Sequence, residues 1–153
     1  MAARRGNATH STITRYTSTT VLDATTLIER QEISNLTFDS IGNIVDQKIE
    51  LYVGDKLSRQ TLIHNSAISN RGDAANQEIT TFTTDDTGTL IAQEASYQLI
   101  ENRLFDSDHN VLNQSVLNYL DSTKLVLLDM QEIRNDSFDS RGNVLSQRVA
   151  TYA

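Results

Sequence analysis

The segment from Asp106 to Asn110 carries oxygen-bearing side chains at alternate positions, as the first half of a calcium-binding loop does. In a helix–loop–helix calcium site, glycine follows at the sixth position and a bidentate glutamate at the twelfth. Val111 and Leu117 occupy those two positions here. Related turns elsewhere in the chain carry one carboxylate and one asparagine. The pattern therefore favours a polar hairpin turn, and we assign no metal ion to it.

A short arginine–glycine–aspartate sequence at Arg71–Asp73 could be an integrin ligand if it stood in an exposed turn. A three-residue match is weak evidence for recognition, and the repeat described below already accounts for a turn at this point. Four asparagines also fit the N-glycosylation pattern, and two of them occupy repeated positions that we expect to face inward. These sequons begin at Asn7, Asn35, Asn113 and Asn135.

Residues that could act in catalysis are scattered along the chain. The three histidines, His10, His64 and His109, stand at unrelated positions, whereas a metal site needs ligands that converge. Nucleophile-elbow, phosphate-binding and dinucleotide-binding motifs do not occur in the sequence. Acid–base catalysis needs carboxylates positioned in a cleft, and pairs such as Asp85-Asp86 lie in loop-like segments. We predict that the chain is not an enzyme, and we assign no catalytic, cofactor-binding or metal-ligating residue.

The composition of the chain argues against nucleic-acid binding, cysteine chemistry and a membrane helix. The formal net charge is −7, and the only basic cluster is Arg4-Arg5, whereas nucleic-acid binding needs clustered cations. The chain has no cysteine, so it has neither a disulfide framework nor a thiolate nucleophile. It contains no apolar run of about 18 residues, so we expect no membrane helix. The absence of proline suits long uninterrupted strands.

An internal repeat of about 33 residues organises the 153 residues as a single array. Three segments align without gaps and share the pattern I-x-N-x-x-F-D-S-x-[GH]-N-[IV]-x-x-Q-x-x-x-x-Y. A fourth copy aligns if five residues are missing from its central turn, and a half copy precedes them all. The segments are 33–52, 100–119 and 133–152, with the short copy at 68–82 and the half copy at 11–16.

The local chemistry of each copy is that of a β-hairpin. Asp39–Asn43 and Asp139–Asn143 place an aspartate where its side chain can bond the backbone two residues on, followed by Gly-Asn for a positive φ. Flanking stretches are rich in residues that favour strands. Helical spacing of leucines offers an alternative for 111–133, but the equivalent segments alternate with period two. We therefore predict an all-β fold of tandem hairpins, forming a stacked or coiled, solenoid-like ribbon.

The recurring asparagine and glutamine fall on the apolar side of that alternation. Gln114 lies between Leu112 and Val116, and Asn118 is taken to lie on the other face. A buried amide is costly unless it is hydrogen-bonded. Stacked copies could meet this need, because identical amides one rung apart can bond to one another in ladders. The amides thus have a structural explanation that needs no ligand.

The repeated F-D-S-x-G-N followed by a β-strand resembles the tyrosine–aspartate (YD, or Rhs-type) repeats of large bacterial secreted and surface proteins. The matching residues are Phe38-Asp39 with Gly42-Asn43, Phe105-Asp106 with Asn110, and Phe138-Asp139 with Gly142-Asn143. Phenylalanine replaces the usual tyrosine, and the spacing is longer than is typical of the family. The resemblance implies a β-hairpin ribbon that serves as shell, stalk or adhesive surface, without catalysis by the repeats.

Two functions remain in view. The first is a structural protein of the cell surface or extracellular space that associates with itself head to tail, or with the rest of a longer repeat chain, without a cofactor. The half copy at 11–16 and the strand ending at Tyr152 suggest such end-to-end contacts. The second is an adhesin-like module that recognises a glycan or protein through its turns. Recurrence of Tyr52, Tyr119 and Tyr152 at one repeat position favours the first.

Overall fold

Nine β-strands make up the regular structure of the chain, in a computed structural model that describes residues 8–153. The strands form one open sheet in which each neighbours the next along the chain. No helix occurs among residues 8–153, and accordingly none there could cross a membrane. The all-β prediction is therefore confirmed. The strands are β1 (His10–Tyr16), β2 (Leu27–Phe38), β3 (Ile44–Val53), β4 (Lys56–Ile68), β5 (Ala74–Thr83), β6 (Ser96–Phe105), β7 (Val111–Tyr119), β8 (Leu127–Phe138) and β9 (Val144–Tyr152).

The segment with helical spacing is extended. Residues 111–133 contain β7, a connection, and the first half of β8. Val116 is paired with Ile100 on one side and with Gln131 on the other, both in antiparallel register. Alternation with period two therefore identified the conformation correctly, because backbone pairing with two neighbours stabilises an extended segment whatever its helical spacing.

Contacts between Cα atoms divide the chain into two compact units, the first of which is Met1–His64 with Thr80–Ala95. Within it, β2 pairs with β1 and β3, so that Glu32 stands opposite both Thr12 and Glu50. Thr12 donates a hydrogen bond of 2.7 Å to Glu32. Arg30 and Lys48 form ion pairs with Glu32 and Glu50, at 3.0 and 3.2 Å. These contacts offset the repulsion expected between two carboxylates that face each other across strands.

The second unit, Asn65–Ile79 with Ser96–Ala153, contains the most buried side chains. Tyr97 is 2% exposed and meets Tyr119 with ring centroids 6.3 Å apart. The ammonium of Lys124 lies 5.4 Å from the centre of the Tyr97 ring. Ser115 is fully buried and donates a hydrogen bond to Glu101. The pair of strands β6 and β7 is therefore the best-packed part of this unit.

Burial along the strands does not follow the alternation of the sequence. Residues on both faces of β3 are half-buried from Ile44 to Tyr52, and every residue of β9 is exposed. Among residues 8–153, Tyr97 and Val116 have the only buried apolar side chains. The expectation that one face of the sheet would be buried is therefore wrong. Alternation produces a buried face only when a second layer covers it, and all nine strands belong to one sheet.

A β-bulge precedes the turn in three of the hairpins. The register shifts between Asn35 and Thr37, between Asn102 and Leu104, and between Asn135 and Ser137. One extra residue on the first strand of each hairpin increases the local twist and redirects the side chains beside it. The bulge follows directly after the repeated asparagine and so determines where its amide group lies.

Loss of the Tyr97 ring should destabilise the protein strongly. We expect Tyr97→Ala to lower the free energy of unfolding by about 3–5 kcal/mol, because it removes a buried aromatic side chain and leaves a cavity. Tyr152→Ala is the matched control, since Tyr152 is 55% exposed, and should change stability by about 0.5 kcal/mol or less. Urea denaturation followed by circular dichroism measures both. Equal losses would show that β6 and β7 are not the best-packed region.

Candidate functional site

The hairpin turns of the repeat are closed by their own aspartate. Asp139 Oδ1 accepts hydrogen bonds from the backbone N–H groups of Arg141 at 2.8 Å and of Asn143 at 2.9 Å. Asp139 Oδ2 accepts from the Asn143 side-chain amide at 2.8 Å. The same three kinds of hydrogen bond form around Asp39 and Asp106. The predicted role of the aspartate in the turn is therefore confirmed.

These hydrogen bonds lower the pKa of the turn carboxylates. The Asn143 side chain lowers the pKa of Asp139 below its ordinary value of 3.8, and nearby backbone N–H groups lower it further. Asn110 acts in the same way on the pKa of Asp106. For Asp39, burial is the largest single influence and raises the pKa, but the combined hydrogen bonds of the turn outweigh it. All three carboxyl groups therefore remain ionised to a lower pH than ordinary aspartates do.

The segment with a calcium-like pattern is one of these turns. Both carboxylate oxygens of Asp106 accept hydrogen bonds from N–H groups of its own turn. Within residues 8–153, no three or more histidine, cysteine or acidic side chains are grouped so that they could hold a metal ion. His109 takes the place of the repeat glycine and has a φ of 70°. The geometry of this segment is fully accounted for by turn formation.

Consecutive turns of the second unit pack on one another. Arg71 donates a hydrogen bond of 2.6 Å to the Ser107 carbonyl. His109 Nδ1 lies 2.6 Å from Asp73 Oδ1. Gly142 has a φ of 81°, and a Cβ atom there would stand 2.8 Å from Asn110 Oδ1. Glycine is therefore needed at this position for its conformation and for the approach of the preceding turn.

These contacts engage both charged groups of the arginine–glycine–aspartate sequence. Ser69 replaces the turn aspartate and accepts from the N–H groups of Arg71 and Asp73, each at 3.2 Å. The Asp73 side chain is only 12% exposed. An integrin would have to compete with Ser107 and His109 for the same two side chains. The geometry therefore supports a turn-packing role for this sequence.

The three histidines do not converge, and each lies beside a carboxylate instead. His10 Nε2 is 2.8 Å from Glu32, and His64 Nδ1 is 2.6 Å from Asp46. His109 contacts Asp73, as described above. Asp46 also accepts a hydrogen bond from Thr37, which is the main reason that its pKa is lowered; His64 adds to the effect. Each histidine links neighbouring strands or turns.

A second type of turn, with the sequence Asp-x-Thr, escaped the sequence reasoning. Asp23 Oδ1 accepts from the backbone N–H of Thr25 at 2.9 Å and from its hydroxyl at 2.6 Å. Asp85 with Thr87, and Asp121 with Thr123, form the same pair of hydrogen bonds. These turns lie in the connections β1–β2, β5–β6 and β7–β8. Recurrence of Asp-x-Thr between strands was the available signal.

The repeated asparagine and glutamine pair across the strands of a hairpin. Gln47 donates to Asn35 Oδ1 at 2.7 Å, and Gln114 donates to Asn102 Oδ1 at 2.7 Å. The asparagine in turn donates to a backbone carbonyl, that of Ala8 for Asn35. The predicted ladder of identical amides is therefore wrong, because the glutamine amide finds its acceptor on the adjacent strand.

The same pairing changes the alignment of the fourth copy. Gln77 donates to Asn65 at 2.9 Å across a separation of 12 residues, which is also the separation of Asn35 from Gln47. Asn70 instead stands within the Ser69–Asp73 turn. The hydrogen bonds therefore contradict a five-residue deletion in this copy. Ile68-Ser69-Asn70 imitates the start of the repeat, and this imitation displaced the alignment by five positions.

Asn118 was assigned to the wrong face. It lies on the same face as Gln114, because positions two and four residues apart in a strand share a face. Gln98 donates to Asn118 Oδ1 at 2.8 Å, and Asn118 Nδ2 donates to Asp129 at 2.6 Å. A second row of polar side chains therefore crosses β6, β7 and β8.

Three of the sequon asparagines lie among the described residues, and two of these use the nitrogen that a glycan would occupy. Asn35 Nδ2 donates to Ala8 O at 2.6 Å, and Asn135 Nδ2 donates to Val111 O at 2.8 Å. The Asn113 side-chain oxygen is buried without a hydrogen-bond partner. Asn7, like Arg4-Arg5, lies outside the described residues. The two repeated asparagines, Asn35 and Asn135, therefore have a structural role in the sheet, as the sequence predicted.

Comparison with protein-family models, curated proteins and solved structures found no match for this chain.

The amide pair should contribute measurably to stability. We expect Gln114→Glu to lower the free energy of unfolding by about 1–3 kcal/mol, because it replaces the donor to the part-buried Asn102 oxygen with a carboxylate. Gln147→Glu is the matched control. Gln147 is exposed, and the oxygen of its counterpart Asn135 has no hydrogen-bond partner. It should change stability by about 0.5 kcal/mol or less in urea denaturation. If Gln114→Glu leaves the free energy of unfolding unchanged, the amide pair has no stabilising role.

The turn aspartates should make stability fall at acidic pH. A carboxyl group with a lowered pKa in the folded state stabilises it at pH values above the unfolded pKa. That contribution is present above about pH 4 and is lost as the pH falls through the lower folded pKa. We expect Asp139→Ser to reduce the loss of stability between pH 5 and pH 2, measured by chemical denaturation. Serine suits this position because Ser69 closes the equivalent turn. An unchanged acid dependence would contradict this role for Asp139.

Proposed function

We propose that this chain is a non-enzymatic structural protein of the extracellular space or cell surface. In this proposal, its hairpins associate with further hairpins of the same kind, from copies of the chain or from a longer repeat chain, to build a fibre, stalk or shell. The observation that carries the proposal is the half-exposure of both faces of the strands. A sheet in this state gains from added strands and layers, because each buries more apolar surface.

The contacts between hairpins support the same role. In the second unit, the Arg71 and Asp73 side chains of one turn contact Ser107 and His109 of the next, and the absence of a side chain at Gly142 leaves room for Asn110. Such contacts can be made again wherever another hairpin is added. The resemblance to YD repeats, which implies a hairpin ribbon that serves as shell, stalk or adhesive surface, is in keeping with this role.

The chemistry of the polar groups favours a structural role over catalysis. The carboxylates of Asp39, Asp106 and Asp139 close turns, and the histidines contact neighbouring acids. A surface depression of about 250 Å³ is lined by residues of two of these turns, among them Asn110 and Asp139. The proposal assigns each of these groups to holding the sheet together, and it requires no cofactor.

A second candidate is a binding module that recognises a protein or glycan through its connections. Its support is the exposure of apolar residues beside the Asp121 turn. Leu125 is 85% exposed, and Leu120 and Val126 are 48% and 49% exposed. Exposed apolar residues that cluster in this way often mark an interaction surface.

Assembly can be tested by light scattering and electron microscopy of the purified chain. We expect a mass that rises with protein concentration, and elongated or sheet-like particles in micrographs. Val149→Lys should reduce assembly, because a lysine on the exposed strand β9 opposes the addition of strands. Leu125→Lys, a change at an equally apolar and more exposed site, should leave assembly intact. A monodisperse monomer at all concentrations would contradict the proposal. Loss of assembly in Leu125→Lys but not in Val149→Lys would show that copies join beside the Asp121 turn and not at β9.

A further inference from the structure

The strand β9 differs from its counterparts in what lies on its two sides. The strand that follows the turn in two other hairpins, β3 or β7, is paired with a neighbour on both sides. Among the described residues, β9 is paired with β8 alone, and all nine of its residues are exposed. Leu145, Val149 and Tyr152 are 68%, 52% and 55% exposed.

The amide pair of this hairpin is also incomplete. Gln47 and Gln114 each donate to the asparagine across their hairpin, in strands that are covered on both sides. Asn135 occupies the corresponding position opposite Gln147. Its side-chain oxygen is buried and has no hydrogen-bond partner. An unpaired buried acceptor is unfavourable, so an event that fixes Gln147 against Asn135 would be favourable.

The structure shows how the next strand is recognised where one is present. An asparagine on the following strand donates to the carbonyl of the first residue after the preceding turn. Asn102 donates to Ala74 O at 3.0 Å, and Asn135 donates to Val111 O at 2.8 Å. The isoleucine two positions before Asn135, Ile133, stands opposite Gln114. The residues of β9 that correspond to Val111 and Gln114 are Val144 and Gln147.

We propose that the outer edge of β9 binds an antiparallel strand that carries an Ile-x-Asn pair. The asparagine of that strand donates to the Val144 carbonyl, and the isoleucine lies over Gln147. Covered in this way, Gln147 donates to Asn135 as its counterparts do. The proposal rests on the structural function proposed above and names the chemistry of the strand that extends the sheet.

The test uses a fluorescein-labelled peptide with the sequence of β8, residues 127–138, because it contains Ile133 and Asn135 in the required spacing. Fluorescence anisotropy of the label reports binding. We expect saturable binding to the full chain. A peptide with Asn135→Ala should bind about tenfold more weakly, and one with Arg134→Ala, which changes the opposite face, should bind within about twofold.

Variants of the protein locate the binding site. Gln147→Ala should weaken peptide binding by about fivefold, and Ser146→Ala, on the other face of β9, should leave it unchanged. Absence of binding, or binding that is equally strong for the Asn135→Ala peptide, would overturn the proposal. Self-association that the peptide neither caps nor competes with would overturn it as well, since another surface would then join the copies. That last result would contradict the strand-binding proposal but not the structural function. A monomeric chain that still binds the peptide would contradict self-assembly but not the strand-binding proposal.

Discussion

Hydrogen bonding between neighbouring antiparallel strands is the interaction on which the other features of this protein depend. Apolar packing between side chains contributes little, because Tyr97 and Val116 have the only buried apolar side chains among the described residues. Backbone pairing therefore has to be held in register by other means. The Asx-type turns at Asp106 and Asp139 fix where each hairpin reverses. The bulges before them set which side chains meet across the strands.

The amide groups of this sheet act where apolar packing acts in a two-layer sheet. An amide can donate and accept at once, so Asn102 links three strands by accepting from Gln114 and donating to Ala74. A leucine at that position could pack against its neighbours but could not distinguish one register from another. Because a slip of one residue would move every amide to the opposite face, such pairs oppose slippage in a strand with two similar faces.

The sequence predicted the hairpin turns and the strands because both signals are local. Asp139 and Asn143 form the hydrogen bonds that close the turn, and Gly142 adopts the positive φ that it needs. The turn then brings the two flanking strands into pairing. The faces could not be predicted, since alternation says which residues share a side but not whether another layer covers it. Asn65 was missed as the partner of Gln77 because Ser69 replaces the turn aspartate, and Ile68-Ser69-Asn70 resembles a repeat start. The Asp-x-Thr turns were missed because a pattern of two fixed residues is common by chance. Only the hydrogen bonds of the folded chain distinguish these turns.

The order of strands has a consequence for how the chain reaches its fold. Each strand neighbours the next in sequence, and the connections between consecutive strands are short, from Gly54-Asp55 between β3 and β4 to residues 84–95 between β5 and β6. A low contact order favours rapid folding, even in an all-β protein, where long-range pairing usually slows the process. Hairpins that depend mainly on adjacent hairpins also open by degrees. Amide hydrogens of β9 should exchange with solvent through local fraying, while those of β6 and β7, beside the Tyr97 ring, should exchange only when several hairpins open together.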